Sequence, residues 1–135
     1  MSEIQKTIDE LQRQEAKELQ QREKEKAIKK ELTALRRITK NLSGDRQRAA
    51  EGLIHEAAFM RATLAQLRQI IDQDGPIDLF VQGGYKYDRE HPAVKTYNTM
   101  IQRYAAVCKQ ILDLLPDGKP TAADELMDFV KKARK

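Results

Sequence analysis

Two histidines, one cysteine, a glycine pair and three close-set aspartates are the residues from which this chain could build a reactive centre. His55 and His91 fall on different predicted elements. Neither has a carboxylate or cysteine at a spacing that would suggest a proton-transfer pair or a metal-ligand set. The single Cys108 excludes an internal disulfide framework and a cysteine-based zinc site. It stands on an apolar helical stripe, where a small buried thiol is expected. Gly83-Gly84 is followed by Tyr85, not by the Lys-Ser/Thr pair and helix of a phosphate-cradling loop. Asp72, Asp74 and Asp78 do not have the spacing of a calcium loop and read as an acidic helix end. No catalytic constellation and no cofactor site emerges, so the chain is expected not to be an enzyme.

The chemistry that remains is electrostatic. Between Lys26 and Arg48 lie eight basic residues (Lys26, Lys29, Lys30, Arg36, Arg37, Lys40, Arg46 and Arg48) and two acidic ones, Glu31 and Asp45. This stretch carries a local charge of +6, against +4 for the whole chain. At helical spacing Lys29, Lys30, Arg36, Arg37 and Lys40 share one broad face. Such a face is either a solvated helical surface or a seat for phosphates. Phosphate contacts position a protein on nucleic acid without reading its bases. No aromatic residues interleave with these charges, as stacking on single strands would require. Duplex DNA, or RNA held by its backbone, is the expected ligand if the face binds one.

The elements that carry these residues are helical. Residues 1–42 read as one long helix. Ile4, Ile8 and Leu11 keep a four–three spacing that Leu19 extends weakly. From Gln12 to Lys26 nearly every residue is a polar helix former with little to bury. Apolar spacing resumes at Ile28, Leu32, Leu35 and Leu42, with Ile38 beside the seam. The expectation is a helix packed at both ends that crosses solvent between them, or one that frays in isolation. Gly44 should close it, and Asp45 should cap a second helix over about 46–73. That helix has a stripe of Leu53, Ala57, Met60, Leu64, Leu67 and Ile71, widened by Ile54, Ala58 and Ile70. After Asp74-Gly75-Pro76 come two short runs rich in β-branched and aromatic residues around Gly83-Gly84, which predict a β-hairpin at about 77–88. His91-Pro92 opens a third helix whose heptad is the cleanest in the chain: Val94, Tyr97, Ile101, Tyr104, Cys108, Ile111 and Leu115. Residues 116–120 stop it. A short amphipathic piece with Leu126, Phe129 and Val130 then ends in the basic run Lys131–Lys135. Three regions result: a charged helix over 1–42, a helical core with hairpin over 43–116, and a short helix with a basic tail over 117–135. Helices two and three should pair antiparallel across the hairpin.

Composition agrees with a mainly α chain whose helices need partners. Of 135 residues, 40% are hydrophobic and 34% charged, aromatics make up 5%, and tryptophan is absent. Such a chain builds a modest core, and its surplus apolar stripes predict self-association. No apolar run is long enough to span a bilayer, and MSEIQKTIDE has no secretory core, so a cytoplasmic setting without membrane contact is expected.

Residues 53–116 resemble a known family. The run Glu56-Ala57-Ala58-Phe59-Met60-Arg61-Ala62-Thr63-Leu64 through Ile71-Asp72 leads to the glycine turn. Then follows His91-Pro92-Ala93-Val94-Lys95-Thr96-Tyr97-Asn98-Thr99-Met100-Ile101-Gln102-Arg103-Tyr104, and later Leu114-Leu115-Pro116. Together these resemble the small subunit of phage terminase. The most specific element is the Pro-Ala-Val-Lys helix opening placed after the glycine turn. The likeness covers about half of the chain. It implies a homo-oligomeric ring that recognises double-stranded viral DNA in the host bacterial cytoplasm. Such a ring hands DNA to the ATP-driven large subunit and modulates that subunit's ATPase and nuclease, hydrolysing nothing itself. Relatives commonly follow the third helix with a Gly-Leu-Thr-Pro-like turn and an Arg. Here Asp113-Leu114-Leu115-Pro116-Asp117 stands instead, so no large-subunit contact carries over. A compact N-terminal helix-turn-helix is also missing, because the helix after the first turn is too long for an ordinary recognition helix. The alternative from a different class is an oligomeric coiled-coil scaffold or adaptor that binds only protein.

Overall fold

The computed structural model describes residues 2–116 and 120–134. Its elements run α1 (Glu3–Thr39), α2 (Gly44–Asp74), β1 (Ile77–Gln82), β2 (Tyr85–Glu90), α3 (Pro92–Leu114) and α4 (Pro120–Arg134). The chain is mainly helical, with one two-stranded antiparallel hairpin between α2 and α3.

Helix α1 forms for local reasons over its first half. Ser2 caps it by accepting from the Gln5 amide at 3.2 Å. Amide–carboxylate bonds one turn apart (Gln5 to Asp9, Gln14 to Glu18, Gln21 to Glu25) support a stretch that buries almost nothing. Only its second half enters the core, through Leu32, Leu35, Ile38 and Thr39. The expectation of packing at both ends is therefore corrected. Ile4 and Leu11 remain 74% and 58% exposed, and Ile8 and Leu19 are exposed as well. The reason is length. Side chains near Gln20 reach α2 beside Gln73, where α2 ends, so residues 3–19 run on past the bundle as a rod of about 25 Å.

The turn after α1 is also built differently from the expectation. Leu42 is buried as a plug, and its amide bonds the Thr39 carbonyl at 3.1 Å. Gly44, at φ +60°, is the first residue of α2 and does not end α1. Ser43, in extended backbone, is the N-cap, though its side chain makes no cap bond. Asp45 lies in the first turn of α2, where its negative charge complements the helix dipole. Gln47 takes over the capping of α1: with its amide nitrogen turned toward them, it reaches the Thr39 and Leu42 carbonyls at 2.9 Å each.

Helices α2 and α3 pack most extensively, as the antiparallel reading expects. Ile54, Ala57, Ala58, Met60 and Leu64 meet Tyr104, Cys108, Ile111 and Leu115. Burial along the α3 heptad is graded. Val94, Tyr97 and Ile101 are half-buried, whereas Tyr104, Cys108 and Ile111 are fully buried. The cause is α4, which returns onto the bundle and lays Leu126 and Phe129 over the second half of α3. Phe129 lies 6.3 Å from the Tyr104 ring and 4.2 Å from the Arg61 guanidinium. Arg61 in turn pairs with Glu31 at 2.8 Å, where both side chains are largely covered. This cluster ties α1, α2 and α4 together. Of the predicted stop at 116–120, residues 117–119 lie outside the described residues, as does Lys135 of the basic tail.

The hairpin extends two residues beyond the expected end, to Glu90. It turns at Gly83-Gly84 with Gln82 opposite Tyr85. Positive φ occurs at Gly83 only, as in a turn whose first central residue must be left-handed. Phe80 packs on Tyr87 at 5.3 Å, and Arg89 covers Phe80 while pairing with Asp78. The opposite face carries Ile77, Leu79 and Val81, all exposed.

Candidate nucleic-acid interface

All eight basic residues singled out from the sequence are exposed. On α1 they lie away from the core-facing stripe, with Arg36 at the edge toward α2 and Lys30 and Arg37 at the edge toward α4. Leu32, Leu35, Ile38 and Thr39 point inward, and Lys26, Lys29, Lys30, Arg36, Arg37 and Lys40 point outward. From Lys26 to Lys40 the face extends about 21 Å, the axial length of about six base pairs. Glu31, the only acid within that span, is directed away from it and held by Arg61. Nothing in this face therefore neutralises it from within α1. Arg46 and Arg48 follow on the first turns of α2, around the α1–α2 connection.

The eight are not equivalent. Arg36 donates to Glu51 from both Nε, at 3.2 Å, and Nη2, at 2.6 Å. It also lies 3.4 Å from the His55 ring. The pairing raises the Arg36 pKa and holds the Glu51 carboxyl below the ordinary carboxylate range, with partial burial working against the latter. Arg36 is thus committed to clamping α1 on α2. Arg48 pairs with Asp45 at 3.6 Å, but both side chains are almost fully solvated, so the contact is weak. Among the described residues, Lys26, Lys29, Lys30, Arg37, Lys40 and Arg46 form no ion pair. All six are exposed, and two of them, Lys30 and Arg37, border a groove that Glu125 and Asp128 of α4 also line. In the C-terminal basic run, Lys131 and Lys132 are exposed too.

The reactive residue types are absorbed by structure. The sequence placed no carboxylate partner near either histidine, and both have one. His55 approaches Glu51 at 3.2 Å, one turn back on α2. His91 spans two roles: Nδ1 accepts from the Ala93 amide at 3.1 Å as the cap of α3, and Nε2 faces Asp74 at 3.1 Å. For His55 the signal lay in the sequence, since Glu51 stands four residues earlier on the same helix; for His91 it is spatial, because the hairpin closes Asp74 onto it across seventeen positions of sequence. Cys108 is buried, as expected. Beside it, burial pushes the Tyr104 hydroxyl pKa up, with the Cys108 thiol adding to the effect. Asp78 is engaged by Arg89, and among the described residues no group of three His, Cys, Asp or Glu side chains could hold a metal ion. Among the described residues no helix is long and apolar enough to cross a membrane.

No protein-family model, curated protein or solved structure matches the chain.

Proposed function

We propose that this chain is the small subunit of a phage DNA-packaging terminase, a non-enzymatic protein acting as a ring of several copies. In this reading it engages duplex DNA through phosphate contacts on the outer face of α1 and regulates the large packaging subunit. The observation that carries the DNA-binding part is the exposure along α1 and its end of Lys26, Lys29, Lys30, Arg37 and Lys40, which form no ion pair among the described residues, with the intervening Glu31 turned inward. The packaging part rests on the resemblance over residues 53–116. Symmetry would repeat the face around a ring, so weak single contacts would sum to useful affinity.

The test is a salt titration of duplex binding with the full-length chain. Each neutralised phosphate contributes a log–log slope of roughly −0.9. Reversing Lys29 and Arg37 to Glu should flatten the slope by about 2 and weaken binding at least about tenfold near 0.1 M salt, on any sequence. Arg36 is the wrong residue to reverse, because Arg36→Glu would set two carboxylates against each other at Glu51. Unchanged curves for the Lys29/Arg37 variant would remove this face as the DNA site. Failure of the parent to bind duplex at any salt, while still assembled, would favour the protein-only scaffold.

A further inference from the structure

Two apolar features of the same chain lack a partner, and they match. One is the α1 tip, where Ile4, Ile8 and Leu11 stand exposed on a single face. The other is an open groove of about 700 Å³ between α2 and α3. Its walls include Phe59 and Met60 from α2 with Met100 and Val107 from α3, and Lys95 and Arg103 stand at its α3 side. We propose that the α1 tip of one copy seats in the α2–α3 groove of the next, making the head-to-tail contact that builds the assembly. The inference rests on the ring reading above and specifies its interface.

Dimensions agree first. Ile4 to Leu11 and Met100 to Val107 both span seven helical positions, about 10 Å each, so two turns of helix lie along two turns of groove. Charge agrees next. At about 100° per residue, Glu15 and Glu18 continue the Ile4–Ile8–Leu11 face, whereas Lys6 and Arg13 fall on the opposite side. The docking face of the tip is thus apolar with acidic flanks only. The groove offers Lys95 and Arg103, and Lys24 extends over the Phe59 ring at 4.5 Å, against the single acid Glu56. The occupant must come from another copy. Helix α1 contains neither glycine nor proline to bend it, and its tip points beyond the end of α2, so a chain cannot reach its own groove. A contact between two different surfaces is heterologous, and it closes into a ring when its rotation permits.

Sedimentation of the full-length parent and of an Ile8→Glu/Leu11→Glu variant tests this directly. Both replaced side chains are exposed, so circular dichroism should show the helix content of the parent. The parent should sediment as several copies and the variant as a monomer. Lys95→Glu should likewise lower the assembled mass, and Glu15→Arg with Glu18→Arg in the same chain should restore it. Oxidising a mixture of Ile8→Cys and Thr99→Cys chains should cross-link one of each, and a chain carrying both cysteines should give a ladder of higher oligomers. A ladder that stops at the dimer would overturn the head-to-tail contact. An Ile8→Glu/Leu11→Glu variant that keeps the parent's mass would overturn the tip-in-groove contact and leave the ring reading standing. A monomeric parent would overturn both.

Discussion

At the scale of single residues, the structure separates side chains that look alike in the sequence. Arg36 and Arg37 are neighbours in one basic run, yet one clamps Glu51 and the other faces solvent without an ion partner among the described residues. Helical spacing alone put both on the same face, and it had no means of seeing Glu51, which belongs to another helix. The α3 heptad teaches the same lesson in apolar terms. Ile101 and Ile111 both lie on the apolar stripe of the repeat, but Ile111 is wholly buried and Ile101 is only half-buried. Ile111→Ala should therefore cost ~2–5 kcal/mol, the range for emptying a core site, whereas Ile101→Ala should cost less than half as much. Chemical denaturation of the two variants at fixed protein concentration checks the difference. Equal losses would mean that the hairpin end of the bundle is as well covered as the other.

At the scale of elements, the legible parts were those with local causes. The hairpin follows from a glycine pair between β-prone runs, and α3 from His-Pro followed by a regular heptad. The N-cap of α3 was half legible. Pro92 announced the start, while the cap itself is the His91 ring, bonded to the Ala93 amide and steadied by Asp74. Replacing His91 by Ala should destabilise the fold by about 1 kcal/mol, typical of a lost N-cap, with Asn at the same position recovering most of it. Thermal melts of the three proteins decide this, and an unaffected Ala variant would reduce the ring to a bystander. What stayed illegible were features set by neighbours. Gly44 reads equally well as the end of one helix or the start of the next until the backbone is seen. The docking of α4 depends on a gap over Tyr104 that exists only once α1, α2 and α3 are together.

At the scale of the whole molecule, the chain is a four-helix core from which two parts project, the α1 tip and the hairpin. Both were visible as elements in the sequence, and neither was visible as a projection. The reason is that an amphipathic stripe records that something will be covered, not which molecule covers it. Ile4, Ile8 and Leu11 have the same four–three spacing as Ile28, Leu32 and Leu35, yet the second set packs within the chain and the first does not. The exposure of the basic residues was legible for the opposite reason. Charged side chains of a helix stay in solvent unless a partner on another element engages them, as Glu51 engages Arg36. A DNA reading and a scaffold reading therefore begin from the same exposed features and part only at the salt titration.

The overhanging half of α1 also has a consequence on the time axis. Residues 6–19 are held in helix by their own backbone hydrogen bonds and a few side-chain bonds, so their amides can open by local helix–coil fluctuation. Amides of residues 32–39 can open only when the packed core does. Hydrogen exchange on a dilute, dissociated sample should show the first group exchanging orders of magnitude faster than the second. If copies join through the tip as proposed, the first group should slow as concentration rises while the second barely changes. The tip would then act as a gauge of assembly, its exchange rate reporting the fraction of time each copy spends apart from its neighbour.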